Sequence, residues 1–151
     1  MVMFKSKIML ARWALLIGTL GMLSACSDAK NAVPNLSQRW YTPEQLAQGK
    51  AVFADHCAAC HGPMGEGVAN WQTLDANGLY PAPPLDGSAH AWHHSLNTLI
   101  RTISAGGGPL GGSMPGFQGS LTEAEQKSVI AAFQAHWSDD IYSKWKIIDS
   151  R

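Results

Sequence analysis

The sequence is poor in charge, in cysteine and in anything that reads as a strand. Charged residues make up only 15% of it, and the 11 lysines and arginines form no basic patch, which argues against nucleic acid as a partner. No stretch alternates apolar and polar side chains and no internal repeat occurs, so the expected class is all-α. The apolar run Trp13–Leu23 is well short of the ~20 residues that a membrane-spanning helix requires. Cysteine occurs three times, at 26, 57 and 60. With so few, two of them three positions apart carry information. What the chain does have, 46% hydrophobic residues in a length of 151, suffices for one globular core.

The first 25 residues serve a separate purpose. Lys5, Lys7 and Arg12 form a basic start, the apolar run follows, and small residues close it, which is the layout of an export signal. Leu23-Ser24-Ala25-Cys26 resembles a bacterial lipobox. That resemblance implies that Cys26 is acylated and becomes the first mature residue, on the periplasmic side of a bacterial membrane. Without the lipid, Cys26 would be left as an exposed, unpaired thiol. Losing three of 11 basic residues leaves 8 against 11 acidic ones, a net charge of −3. Residues 26–41 then read as the acylated cysteine and a polar tether, 42–138 as the domain, and 139–151 as a C-terminal tail. As a flexible coil, Ser27 to Trp40 would span about 20 Å.

Within the domain, Thr42-Pro43-Glu44-Gln45 predicts a helix start. Thr42 caps, Pro43 takes the first helical position and Gln45 completes a capping box. Leu46, Gly49, Lys50 and Phe53 follow at helical spacing, so this helix should run into the cysteine cluster. Ser95 caps a second helix, with Leu96, Leu99, Ile100 and Ile103 on one face and Gly106 as its stop. Thr122 with Glu125 opens a third, carrying Val129, Ile130, Phe133 and Trp137. Ile141, Tyr142, Trp145 and Ile148 suit a short helix in the tail. Residues 62–92 and 106–119, rich in glycine and proline, read as long loops. Three to five short helices and two long loops make a thin core for roughly 95 residues, so a large apolar group is expected at the centre.

Cys57-Ala58-Ala59-Cys60-His61 supplies that group. The two thiols and the imidazole stand at i, i+3 and i+4 and would share one face of a helical turn. C-x-x-C-H is the attachment signature of c-type haem. The thiols add to the two vinyl groups on one edge of the ring, and the histidine places a nitrogen under the iron. A thioredoxin-like dithiol would need a βαβ setting, and none is visible. Zinc held by Cys57, Cys60, His90 and His94 is the stronger rival. Yet 29 residues separate the two pairs, about twice the usual finger spacing, and zinc would leave the core unfilled.

Met64 lies three residues after His61 and has no path round a macrocycle to the far side of the iron. Met114 does, because it lies 53 positions beyond His61 with a whole helix between. Gly111, Gly112 and Gly116 let backbone approach a flat ring, and Pro115 stiffens the turn. The five other histidines are alternative ligands, with His93 and His94 the best placed. Gly106, Gly108 and Gly111 match G-x-G-x-x-G, but no strand precedes them and the match is empty.

From Thr42 to Trp137 the sequence resembles the class I c-type cytochromes, in a monohaem, bacterial lipoprotein form. Its landmarks are Gly49 and Phe53, the C-x-x-C-H motif, Pro83-Pro84-Leu85, Met114-Pro115-Gly116-Phe117 and an aromatic last helix. Phe133 departs from the tyrosine that many relatives carry. The resemblance implies an all-α fold wrapped round one covalent haem c. It also implies a hydrogen bond from His61 to the carbonyl of Pro83 or Pro84, which would fix the imidazole tautomer and raise its basicity. A His61/Met114 pair fills both axial positions, and the thioether favours ferrous iron. The expected function is a membrane-tethered one-electron carrier between respiratory or dehydrogenase partners, acting through an exposed haem edge. It has no catalytic residues and no small-molecule substrate. Two other readings are a haem enzyme or gas sensor, with Met114 displaced and His93 or His94 assisting, and an electron-relay subunit docked through Trp40, Trp92 or Trp145.

Overall fold

A computed structural model describes residues 38–151. The signal segment, Cys26 and most of the expected tether lie outside those residues. Five helices follow in order: α1 (Pro43–His56), α2 (Ala58–His61), α3 (Leu96–Ala105), α4 (Glu123–Gln134) and α5 (Asp139–Asp149). Short 3-10 turns stand at Ala91–His93 and Gly108–Leu110. The fold is all-α; the β pairing among the described residues amounts to isolated bridges. No helix among them is long and apolar enough to cross a membrane.

Local chemistry sets the helix starts. Thr42 and Thr122 each accept the N–H three residues on, and Gln45 and Glu125 return the bond to complete capping boxes. Ser95 and Ser138 cap α3 and α5 through Thr98 and Ile141. A cap of this kind contributes ~1 kcal/mol. α1 ends one residue before the cysteine motif, because Cys57 (φ −118°, ψ −38°) separates it from α2. The expected face survives the break: the His61 N–H still bonds the Cys57 carbonyl at 2.9 Å.

The frame is the crossing of α1 and α4. Gly49, Val52 and Phe53 of α1 are buried, and α4 is buried continuously from Ser128 to Gln134. A Cβ at Gly49 would lie 1.8 Å from the Ser128 carbonyl oxygen, so the helices touch backbone to backbone. Beside that contact the Ser128 hydroxyl donates to Gln48 Oε1 at 2.9 Å.

Two segments are more integral than their sequence implies. α5, read as a tail, puts Tyr142 and Trp145 into the core, with Trp145 ring centroids 5.3 Å from Tyr142 and 6.1 Å from Trp137. The end of the expected tether docks on it. Arg39 Nη2 donates to Asp139 Oδ1 at 2.7 Å and to the Trp137 carbonyl at 3.2 Å. Its guanidinium sits 3.9 Å from the centre of the Tyr142 ring, and the Trp40 indole donates to Gln134 Oε1 at 2.7 Å. Arg39 and Tyr41 are buried, so the chain is fixed from residue 39 onward rather than from 42.

Gly49→Ala forces the α1–α4 crossing apart and should cost about 1–3 kcal/mol of stability, measured by denaturant unfolding of the haem-loaded protein. Burial pushes the Tyr41 phenol up to about 12, against the opposing pull of Arg39. The unfolded phenol titrates near 10. This stabilisation is therefore complete below pH 10 and lost as pH rises from 10 to 12. Tyr41→Phe should flatten that alkaline loss by about 2–3 kcal/mol, read from unfolding curves across the same window.

Candidate functional site

His61, at the end of α2, is 7% exposed. Its Nδ1 lies 2.9 Å from the Pro83 carbonyl oxygen. That oxygen only accepts, so Nδ1 carries the proton and Nε2 keeps a free lone pair. Burial holds the His61 pKa below the ordinary histidine value, with the Pro83 bond pulling the other way. Neutral imidazole is the form that ligates a metal. Of the two prolines that the sequence leaves open, Pro83 is the acceptor; Pro84 follows it in the turn.

The loop after α2 delivers that carbonyl. Gly67 donates to the His61 carbonyl at 2.7 Å and Val68 to Ala82 at 3.0 Å, while Leu85 donates to Gly65 at 2.6 Å. Residues 65–68 and 82–85 thus run stitched together. Gly67, at φ 64°, lies so flat on the prolines that a Cβ would come within 2.4 Å of the Pro84 nitrogen.

Met114 sits in the loop after α3, half-buried against the core. Its carbonyl accepts from Gly107 at 2.9 Å, and Phe117 and Gln118 donate back to Ile103 and Ser104 at 3.0 Å each. A Cβ on Gly106 would meet the Met114 carbonyl oxygen and the Gly116 nitrogen at 2.7 Å. Glycine is what allows the loop to fold back on its own helix.

The two loops are joined. Tyr80 donates to the Gly111 carbonyl at 2.9 Å, and its own carbonyl accepts from Ser113 at 3.2 Å. Residues 80–85 therefore form a strap, with one end on the Met114 loop and the other on the Gly65–Val68 strip beside His61. Nothing in local periodicity marks Tyr80; the Pro-x-Pro-Pro run that follows it was the available signal.

Other residues fall elsewhere. Met64 is 57% exposed, its N–H held by Glu66 at 2.8 Å. His90 stacks on Trp71 with centroids 5.1 Å apart and meets His94 edge-on at 5.6 Å, and His93 packs on Trp92 at 3.8 Å. No group of three or more histidine, cysteine or acidic side chains among the described residues is placed to hold a metal ion, so the zinc set of Cys57, Cys60, His90 and His94 does not form. Cys57 is half-buried and Cys60 exposed. Burial, and then the neighbouring Cys60, push the Cys57 thiol up to about 11, the opposite of the lowered value that a redox dithiol needs.

The chemistry of this set fits a haem. Two thiols face one turn, a neutral imidazole keeps its Nε2 free, and Leu85, Leu96, Ile100, Met114 and Phe117 lie on the core only partly covered, as an apolar plate requires.

Helices, motif and strap together define a class I monohaem c-type cytochrome. Residues 44–133 match the family model described as cytochrome C oxidase, cbb3-type, subunit III, and the chain belongs to that family. It is 35% identical over 96 residues to a thiosulfate dehydrogenase of Stutzerimonas stutzeri, covering 60% of this chain and 27% of that protein. It is 31% identical over 91 residues to cytochrome c6 of Synechocystis, covering 57% of this chain and 61% of that one. A cbb3-type oxidase subunit, FixP of Azorhizobium caulinodans, is 34% identical over 94 residues, covering 60% and 28%. The chain thus spans under two thirds of each of these relatives. Covalent haem c is the cofactor, and Cys57, Cys60 and His61 form the motif that fits it.

Replacing both Cys57 and Cys60 by alanine should make all haem extractable into acidified organic solvent. Either single variant should keep the haem covalently attached through one thioether, with an altered pyridine haemochrome spectrum.

Proposed function

We propose that the protein is a one-electron carrier, tethered to the periplasmic face of a bacterial membrane by a lipid on Cys26, serving respiratory or dehydrogenase partners. The observation that carries this reading is the His61–Pro83 bond, held by a strap that also holds the Met114 loop. Haem c supplies a single centre that alternates between ferric and ferrous iron. His61, with Nε2 left free, and Met114, on the loop at the other end of the strap, are the residues that would hold its iron. The soft sulfur of Met114 favours the reduced state. His61 is fixed at the end of α2 by its bond to Pro83, and Met114 sits in a loop closed by its own hydrogen bonds, which supports a centre that rearranges little as the charge changes. Exposed Cys60 supports an attachment edge that reaches the surface, where a partner would dock briefly over a small area. The dehydrogenase and the oxidase subunit, each matched over about a quarter of its length, support a second reading in which the domain relays electrons within a larger oxidoreductase.

The haem-loaded protein should show six-coordinate, low-spin iron with a sulfur-to-iron charge-transfer band. Met114→Ala should abolish that band and lower the reduction potential, while Met64→Ala leaves both in place; the reverse outcome refutes the ligand assignment. Ready binding of carbon monoxide by the unmodified ferrous protein would point to an enzyme or sensor. Mass spectrometry of the mature amino terminus should find acylated Cys26, and an unmodified start elsewhere removes the tether.

A further inference from the structure

Pro83 and Pro84 have no amide hydrogen, so neither is pinned by donating to a neighbouring backbone. The carbonyl that His61 uses must be held through the residues on either side. Ala82 accepts from Val68, and Leu85 donates to Gly65, but both bonds tie the turn to the same strip of loop. A different contact reaches the helical frame. Trp137, just beyond α4 and 1% exposed, donates its Nε1–H to the Leu85 carbonyl at 2.7 Å. The chain then passes directly over that edge of the indole: a Cβ on Gly87 would meet Trp137 Cδ1 at 3.1 Å.

We infer that Trp137 is a positioning residue for His61, acting through the Leu85 carbonyl and the Pro83–Pro84 turn. The inference rests on the reading of His61 as an axial ligand. Without the indole N–H, the half-buried Leu85 carbonyl loses its partner and the turn is held only by loop. The Pro83 oxygen then withdraws from Nδ1, the imidazole becomes a poorer donor, and ferric iron loses more stabilisation than ferrous iron does. The reduction potential rises.

The test uses the haem-loaded protein with Trp137 replaced by its benzothiophene analogue, which keeps the bicyclic shape and lacks the N–H, alongside Trp137→Phe. Proton NMR of the ferrous form follows the His61 Nδ1–H, and electrochemistry follows the potential. Expected are faster solvent exchange of that proton and an upward shift of potential; a tenfold change in ferric–ferrous preference would be about 59 mV. Trp145→Phe is the control, since it deletes a comparable indole bond, to the His94 carbonyl at 2.9 Å, away from the turn. It should lower stability and leave both readouts unmoved. If the unmodified protein lacks a ring-current-shifted His61 resonance, the ligand reading itself fails. If that resonance is present but proton and potential stay unmoved in the benzothiophene variant, or Trp145→Phe moves them equally, Trp137 is packing only and the inference falls.

Discussion

A buried histidine can present either ring nitrogen, and here the Pro83 carbonyl removes the choice. Because that oxygen accepts and never donates, the 2.9 Å bond fixes the proton on Nδ1 and leaves Nε2 as the electron-pair donor. Much of the molecule serves to keep this oxygen in place. The strip Gly65–Val68 grips the turn from one side, the Trp137 indole from another, and Gly67 contributes by having no side chain at all.

The helices supply what loops lack, a rigid reference. α1 ends where the motif begins, and α1 is located by the close crossing with α4 at Gly49. α5 and the docked Arg39–Tyr41 segment extend this frame, burying an aromatic cluster of Trp137, Tyr142 and Trp145. The long loops are therefore not loose. Between them runs the strap from Tyr80 to Leu85, hydrogen-bonded at one end to the Met114 loop and at the other to the Gly65–Val68 strip beside His61.

Much of this was legible in the sequence. Helix starts were readable because a cap is a contract between residues three apart, as Thr42–Gln45 and Thr122–Glu125 illustrate. The haem motif was readable because covalent attachment demands fixed spacing. Less visible was anything held by distant partners. Arg39 and Trp40 find their partners 94 to 102 residues away, beyond any periodicity, and so resembled a tether. The break of α1 at Cys57 was likewise hidden, since apolar spacing continues across it.

Pro83 and Pro84 mark the boundary between the two kinds of information. By sequence they are adjacent and chemically identical; the residues themselves carried the thiols, the helix starts and an all-α class, and only the resemblance to class I cytochromes implied that one of the two carbonyls meets His61. Which proline turns its oxygen toward the imidazole was decided only in three dimensions. That orientation follows from hydrogen bonds to Gly65, Val68 and Trp137, which come from separate parts of the chain and exist only once the core has closed.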